Sequence, residues 1–241
     1  MADAPAPLAP RVLVTGASRG LGLEFVRQYA AAGARVFATC RAPEAAQALE
    51  ALAAEHADAV SVAPLDVRDP DAIDAVVASV AADGPGHLDV LINCAGVSPR
   101  GEEFDNIRAE DMLEVLRVNT VAPLIVAQRC HALLARAERP RLVNISSSMG
   151  SLAKKDYGRH YSYAAGKAAL NMITRAAACD LAADGIVVVS LHPGWVQTDL
   201  GGPQATLSPR ESVAGMIEVI EGLTSEHSGR FLTWSGEEHP W

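Results

Sequence analysis

Arg11-Val12-Leu13-Val14-Thr15-Gly16-Ala17-Ser18-Arg19-Gly20-Leu21-Gly22 is an aliphatic, β-branched run that stops at a glycine and passes two more before an alanine-rich stretch to Ala32. The residues before Gly16 have strand composition and those beyond Gly20 have helical composition. The segment therefore predicts strand, glycine loop, helix. Glycine in such a loop reaches backbone conformations closed to other residues and lets a pyrophosphate approach the helix N-terminus. The spacing is G-x-x-x-G-x-G rather than the common G-x-G-x-x-G. Alone, three glycines are a tight turn; between a strand and a helix they predict a nucleotide site.

Outward from this segment the same alternation repeats. Gly33 closes the first helix, and residues 34–39 read as a second strand. Residues 43–57 have helical composition with Leu49 and Leu52 on one face, and 60–65 read as a third strand. Asp69-Pro70 is an N-cap and first-turn pair for a helix carrying Ile73, Val76, Val77 and Val80, which Gly84-Pro85-Gly86 breaks before a strand at 88–92. The second half predicts one long helix over 109–137, a strand at 141–146, a helix over 162–183 and a strand at 186–191. Ser208-Pro209-Arg210-Glu211 is a capping box with proline at the first helical position, starting a helix to Leu223, and 229–234 read as a last strand. Strands alternating with helices predict βαβ units. The expected fold class is α/β: one doubly wound domain over residues 11–241 with a mostly parallel seven-stranded sheet, preceded by a loose tail, 1–10.

Of 241 residues, 49% are apolar and 20% charged, which excludes a disordered chain or a coiled coil. The formal charge of −9, without a dense Lys/Arg run, argues against nucleic acid as partner and for a small molecule. Cys40, Cys94, Cys130 and Cys179 are scattered, so no metal site or disulfide framework is expected. Met1 to Pro7 lacks the basic and apolar regions of a secretory leader, and no apolar run is long enough to span a membrane; the expected compartment is the cytoplasm.

Sites that bind NAD(H) place an acid about 20 residues beyond the glycines to accept from the ribose 2′-hydroxyl. Here that stretch is Ala38-Thr39-Cys40-Arg41, and no carboxylate occurs before Glu44. Arg41 and Arg19 instead offer guanidinium forks suited to a 2′-phosphate, so NADP(H) is expected over NAD(H), the alternative being that Arg41 is a solvated residue at a helix start.

Tyr163-Ala164-Ala165-Gly166-Lys167 puts two titratable groups four residues apart on one helical face. A nearby ammonium favours phenolate and would bring the tyrosine toward a useful pKa, although spacing alone also fits an ordinary exposed pair.

Taken together, the ordered motifs resemble those of the short-chain dehydrogenases/reductases over residues 11–241. They are Thr15 to Gly22, Asn93-Cys94-Ala95-Gly96, Asn119, Asn144-Ile145-Ser146-Ser147, Tyr163 to Lys167, and Pro193-Gly194. The resemblance implies a Rossmann-type fold and an oxidoreductase that moves hydride between NADP(H) and a small carbonyl or alcohol. It implies that Ser147 polarises the carbonyl, Tyr163 exchanges the proton, Lys167 holds the nicotinamide ribose and lowers the tyrosine pKa, and Asn119 anchors a water relay. It further implies cofactor contacts from Gly16, Ser18, Arg19, Gly20, Leu21 and Gly22, from Asp66 and Val67 at the adenine, from Asn93, Ala95 and Gly96 at the ribose, and from Tyr163 beside Lys167. Pro193, Gly194 and Val196 follow the same pattern, with Thr198 at the carboxamide. Ser147 is chosen over Ser146 and Ser148 because the family's serine pattern ends on Gly150, and Tyr163 over Tyr157 and Tyr161 because it alone has a lysine four positions on.

Within the family, His192 to Asp199 with Gly201-Gly202, the ending Gly229 to Trp241 and the long serine-to-tyrosine interval resemble the C-factor and Sniffer-like carbonyl reductases. That interval implies an extra loop, 154–160, beside the pocket. Residues 201–207 read either as a loop that closes over substrate or as a plain connector, and Trp195 either lines the pocket or belongs to the core. His192 reads as structural, and Glu102, Glu103, Asp111 and Glu114 as solvated surface. Family members associate through the long helix and the tyrosine helix, so a homodimer or homotetramer is implied. Two other readings stay open: a signalling or interaction protein that senses NADP(H) with incidental turnover, and a Rossmann-type methyltransferase, which would have no use for Tyr163 and Lys167.

Overall fold

The computed structural model describes residues 9–241. Seven strands form one sheet: β1 (Arg11–Thr15), β2 (Arg35–Cys40), β3 (Val60–Pro64), β4 (Val90–Asn93), β5 (Arg141–Ile145), β6 (Val187–His192) and β7 (Phe231–Thr233). Their order is β3-β2-β1-β4-β5-β6-β7, and every pairing is parallel. The order reverses between β1 and β4, which opens a crevice at the carboxyl ends of these strands.

Successive strand residues point to opposite faces, and each face has its own core. Val12, Val14, Val143 and Val189 pack beneath α1 (Gly20–Ala31), α2 (Gln47–Glu55) and α7 (Pro209–Gly222), through Phe25, Leu49 and Met216. Leu13, Leu91, Leu142 and Val188 pack beneath α3 (Pro70–Ala82) and α5 (Ala122–Leu134), through Ile73, Val80 and Cys130. Burial on both faces is why these strands read as continuous aliphatic runs rather than alternating ones. The predicted caps form: Asp69 accepts from Asp71 N at 3.0 Å, and Ser208 and Glu211 close their capping box.

The long helix is corrected. Residues 109–137 are not one α-helix: α4 (Ala109–Leu116) passes into a π-helical turn, Arg117–Val121, and then into α5, which ends at Leu134. Pro123 has no N–H to return to the carbonyl four residues earlier, that of Asn119, so the α ladder is interrupted where the π turn sits. The remaining helix, α6 (Tyr161–Asp180), has 20 residues. Of the expected tail, residues 1–8 lie outside the described residues; Pro10 already accepts from Arg35 N at 2.9 Å. Among the described residues no helix is long and apolar enough to cross a membrane.

Candidate active site

The glycine loop leads from β1 into α1 at the crevice. Gly16 and Gly20 have φ of 73° and 58°, and a Cβ on Gly22 would stand 2.3 Å from the Gly16 carbonyl oxygen. The loop thus lies flat on the first turn of α1, whose N-cap, Arg19, supplies no side-chain cap. Its first N–H groups therefore get no acceptor from the N-cap side chain, an arrangement that could take a phosphate. Ser18 and Leu21 are half-buried in the same turn. Thr15 Oγ1 accepts from Cys94 N at 3.0 Å and Ala95 N at 3.2 Å, tying the loop to the segment after β4.

At the β2 and β3 ends, Arg41 is exposed and Asp66 and Val67 are half-buried. Hydrogen bonds from Arg68 hold the Asp66 carboxyl down at about 2, with Arg41 adding to the effect, and Arg68 also reaches Glu114 at 2.7 Å. Arg19 stands 3.2 Å from Asp199 in an exposed ion pair.

On the other side of β4, three elements bring the predicted reactive residues together. Asn119 lies in the π turn, fully buried, and both ends of its amide bind the backbone of Val97 at 2.8 Å, accepting from N and donating to O. Lys167 is buried on α6, and its Nζ donates to Ile145 O at 2.7 Å and lies 5.7 Å from the Tyr163 ring centre. A Cβ on Gly96 would be 3.4 Å from Asn119 Oδ1 and 3.8 Å from Lys167 Nζ, so this glycine keeps the space between them open. Ser147 caps the short turn Ser148–Gly150, accepting from Met149 N at 3.2 Å, and Gly150 presses that turn against the backbone of Lys167.

The electrostatics differ from the expectation. Burial pushes the Tyr163 phenol up to about 12, opposed by a hydrogen bond with Ser147 and reinforced by Cys94. Burial also brings the Lys167 amine down to about 8. Desolvation dominates the phenol, while the hydrogen bond of the Lys167 amine goes to Ile145.

Other predicted residues take different places. Asn93 is turned into the core, where its amide donates to Pro123 O and Asn144 Oδ1, so its side chain does not face the crevice. Ser146 bonds Asn171 Oδ1 at 2.6 Å and packs, while His192 Nδ1 accepts from Ser148 N at 3.2 Å and supports the serine turn. Burial lowers His192 to about 4, with His239 adding to it. Pro193 accepts from Ser212 Oγ, Gly194 has φ of 80°, and Val196 is buried and bridges to Leu207.

Thr198 faces the glycine loop, its Cγ2 3.5 Å from a Cβ placed on Gly20. A cavity of about 820 Å³ opens beside it, lined by residues 98–101, His160 and 197–203. The expected extra loop therefore reaches the cavity through its last residue, His160. Trp195 is half-exposed, its Nε1 donating to Gly201 O at 2.8 Å. Tyr157 lies under Lys155, and Tyr161 stands edge-on to Phe104.

One acid expected on the surface is buried. Glu102 is 5% exposed and bonds Ser162, while Glu103, Asp111 and Glu114 pair with Arg159, Arg108 and Arg68 near the surface. Nothing local in the sequence marks Glu102 or the Thr15 hydroxyl as site-building, since their partners are 60 and 79 residues away.

A family model described as short chain dehydrogenase matches residues 10–206. An NADPH-bound carbonyl reductase from chicken fatty liver is 41% identical and has a TM-score of 0.92 over 97% of this chain and 99% of that one. The carbonyl reductase Sniffer of D. melanogaster is 35% identical, with a TM-score of 0.91 over 96% of this chain and 99% of its own. The C-signal of Myxococcus xanthus is 46% identical over 156 residues, which are 65% of this chain and 94% of that protein.

Proposed function

The chain belongs to the short-chain dehydrogenase family, and from that footing we propose that it is an NADP(H)-dependent carbonyl reductase acting on a small carbonyl or alcohol. The observation that carries the reading is the meeting of Asn119, Lys167, Tyr163 and Ser147 beside an uncapped glycine-loop helix.

The chain's residues fit the dinucleotide. Gly16, Gly20, Gly22 and the free N–H groups of α1 would hold the pyrophosphate, Arg41 and Arg19 the 2′-phosphate, and Asp66 and Val67 the adenine. Ala95, Gly96 and Lys167 would hold the nicotinamide ribose, with Pro193, Gly194, Val196 and Thr198 beside the carboxamide. The bound dinucleotide supplies the hydride. Ser147 Oγ donates to the substrate oxygen, and Tyr163 gives that oxygen its proton, so a ketone gaining one hydride and one proton leaves as an alcohol. Tyr163, held protonated by burial, is in the right state to donate. Lys167 and Asn119 line the route by which a proton returns to it.

Replacing Tyr163 with Phe tests the chemistry: turnover of activated carbonyls, followed by NADPH absorbance, should fall at least about 100-fold with NADPH affinity preserved. Near-normal turnover would reject Tyr163 as the acid.

The likeness to a protein named C-signal favours a second reading, in which NADP(H) occupancy controls a partner surface. Partner capture that depends on NADPH and survives Tyr163→Phe would support it. For assembly we propose a homodimer or homotetramer through Leu113, Val121, Leu124 and Met172, exposed on α4, the π turn, α5 and α6. A monomeric mass in sedimentation would overturn that.

A further inference from the structure

Helix α6, which presents Tyr163 and Lys167, starts without a cap of its own. Its N-cap residue, His160, and Arg159 before it both lie in left-handed backbone, at φ of 55° and 69°, and no side-chain cap comes from His160. Two consecutive non-glycine residues in that region are strained and persist only where their surroundings hold them. The holding group comes from the loop between β4 and α4. Glu102 accepts from Ser162 N at 2.8 Å on one carboxylate oxygen and from Ser162 Oγ on the other. Its carbonyl takes His160 N at 3.4 Å, and Glu103 pairs with Arg159 at 2.9 Å.

We propose that Glu102 is a positioning residue for catalysis: it sets the first turn of α6, and so the place of Tyr163, relative to the cavity wall at residues 98–101. Ser162 immediately precedes Tyr163 and is fully buried, so its two donors have no solvent to turn to if Glu102 is removed. A carboxylate is the side chain that accepts at both ends, and its charge suits a helix N-terminus. Further along α6 other contacts take over: Lys167 is pinned to Ile145 and packed against Gly150, and Asn171 to Ser146 and Gly150. Loss of Glu102 therefore releases Tyr163 while Lys167 stays in place. The same loop carries Arg100 and Gly101, which line the cavity with His160, so one contact ties this wall to the first turn of α6.

The inference rests on Tyr163 being the proton donor. Glu102→Ala, Glu102→Gln, Ser162→Ala and Tyr163→Phe are compared in the full chain, well below each variant's melting temperature. The readouts are kcat and KM with an activated aromatic carbonyl, and NADPH Kd by fluorescence. Misplacing a reacting group by about 1 Å costs on the order of 100-fold in rate, so Glu102→Ala should lose about 10- to 100-fold in kcat with NADPH Kd within about twofold. Glu102→Gln, which keeps one acceptor and the size, should recover part of that loss. Adding Ser162→Ala to Glu102→Ala should cost nothing more, since the two act through one contact.

A melting temperature that falls while kcat holds would make Glu102 a structural cap and overturn the proposal. So would a loss of NADPH affinity in step with kcat. If Glu102→Ala does not fold, Glu102→Gln alone decides, because Ser162→Ala would leave the backbone N–H bond in place, and unchanged kcat in Glu102→Gln overturns it. An inactive Tyr163→Phe beside a full-rate Glu102→Ala sinks the positioning role alone, whereas an active Tyr163→Phe sinks the proton-donor reading beneath it.

Discussion

Lys167 Nζ donates to the carbonyl oxygen of Ile145, the last residue of β5, at 2.7 Å. The amine one helical turn from Tyr163 is thus fastened to the strand that leads into the Ser147 turn, and helix, strand and serine turn are held as one piece. The charge is buried to make that contact, and the cost is legible in its pKa.

Burial lowers Lys167 from 10.5 to about 8. Between these values the unfolded chain keeps a proton that the folded chain has lost, so this group makes stability rise with pH from about 8 to about 10.5. Tyr163, raised to about 12, acts in the opposite sense above pH 10. In urea unfolding, the wild type should gain on Lys167→Met as pH rises from 8 toward 10, by up to roughly 3 kcal/mol over the full window. A difference that stays flat with pH would show that the amine is solvated.

Gly150 stands where a Cβ would lie 2.7 Å from the carbonyl carbon of Lys167 and 3.0 Å from Ala168 N. Those are backbone atoms of a helix and cannot step aside. Gly150→Ala should destabilise by about 1–3 kcal/mol and slow turnover by displacing the Ser147 turn. Gly222→Ala, at the end of α7 with nothing within 4 Å, should be neutral or stabilising in the same denaturation assay.

Asn119 satisfies both backbone groups of Val97 from inside the π turn. Asn119→Ala removes both bonds from a half-buried segment, at roughly 1–3 kcal/mol in total. Hydrogen exchange should then show the Val97 amide losing protection. Full protection in the variant would mean that the loop holds itself.

Arg41 is exposed and makes no ion pair among the described residues, while Arg19 already faces Asp199. If a 2′-phosphate is read here, Arg41→Ala should weaken NADPH binding about 10- to 100-fold, the worth of a charged hydrogen bond, and leave NADH unchanged. Calorimetry of both dinucleotides checks it. Equal affinities before and after would sink the preference.

Much of this molecule is written locally. The aliphatic runs, the caps at Asp69 and Ser208, the glycines from Gly16 to Gly22 and the one-turn spacing of Tyr163 and Lys167 each depend on residues within a few positions of one another. Helical periodicity, capping and glycine conformation act over that same range, so the sequence alone determined the α/β alternation, the glycine loop and the tyrosine helix.

Tertiary structure decided what those elements do to each other. The pattern over residues 109–137 read as one helix, and only the fold set the Val97 backbone, 22 residues from Asn119, against the amide carried by the π turn. Glu102 looked like one more surface acid until the fold brought Ser162 against it, and Asn93 was drawn into the core by Asn144 on the next strand. The Tyr163 pKa depends on how much water the assembled walls exclude, a property of the packed interior that no short window of residues carries.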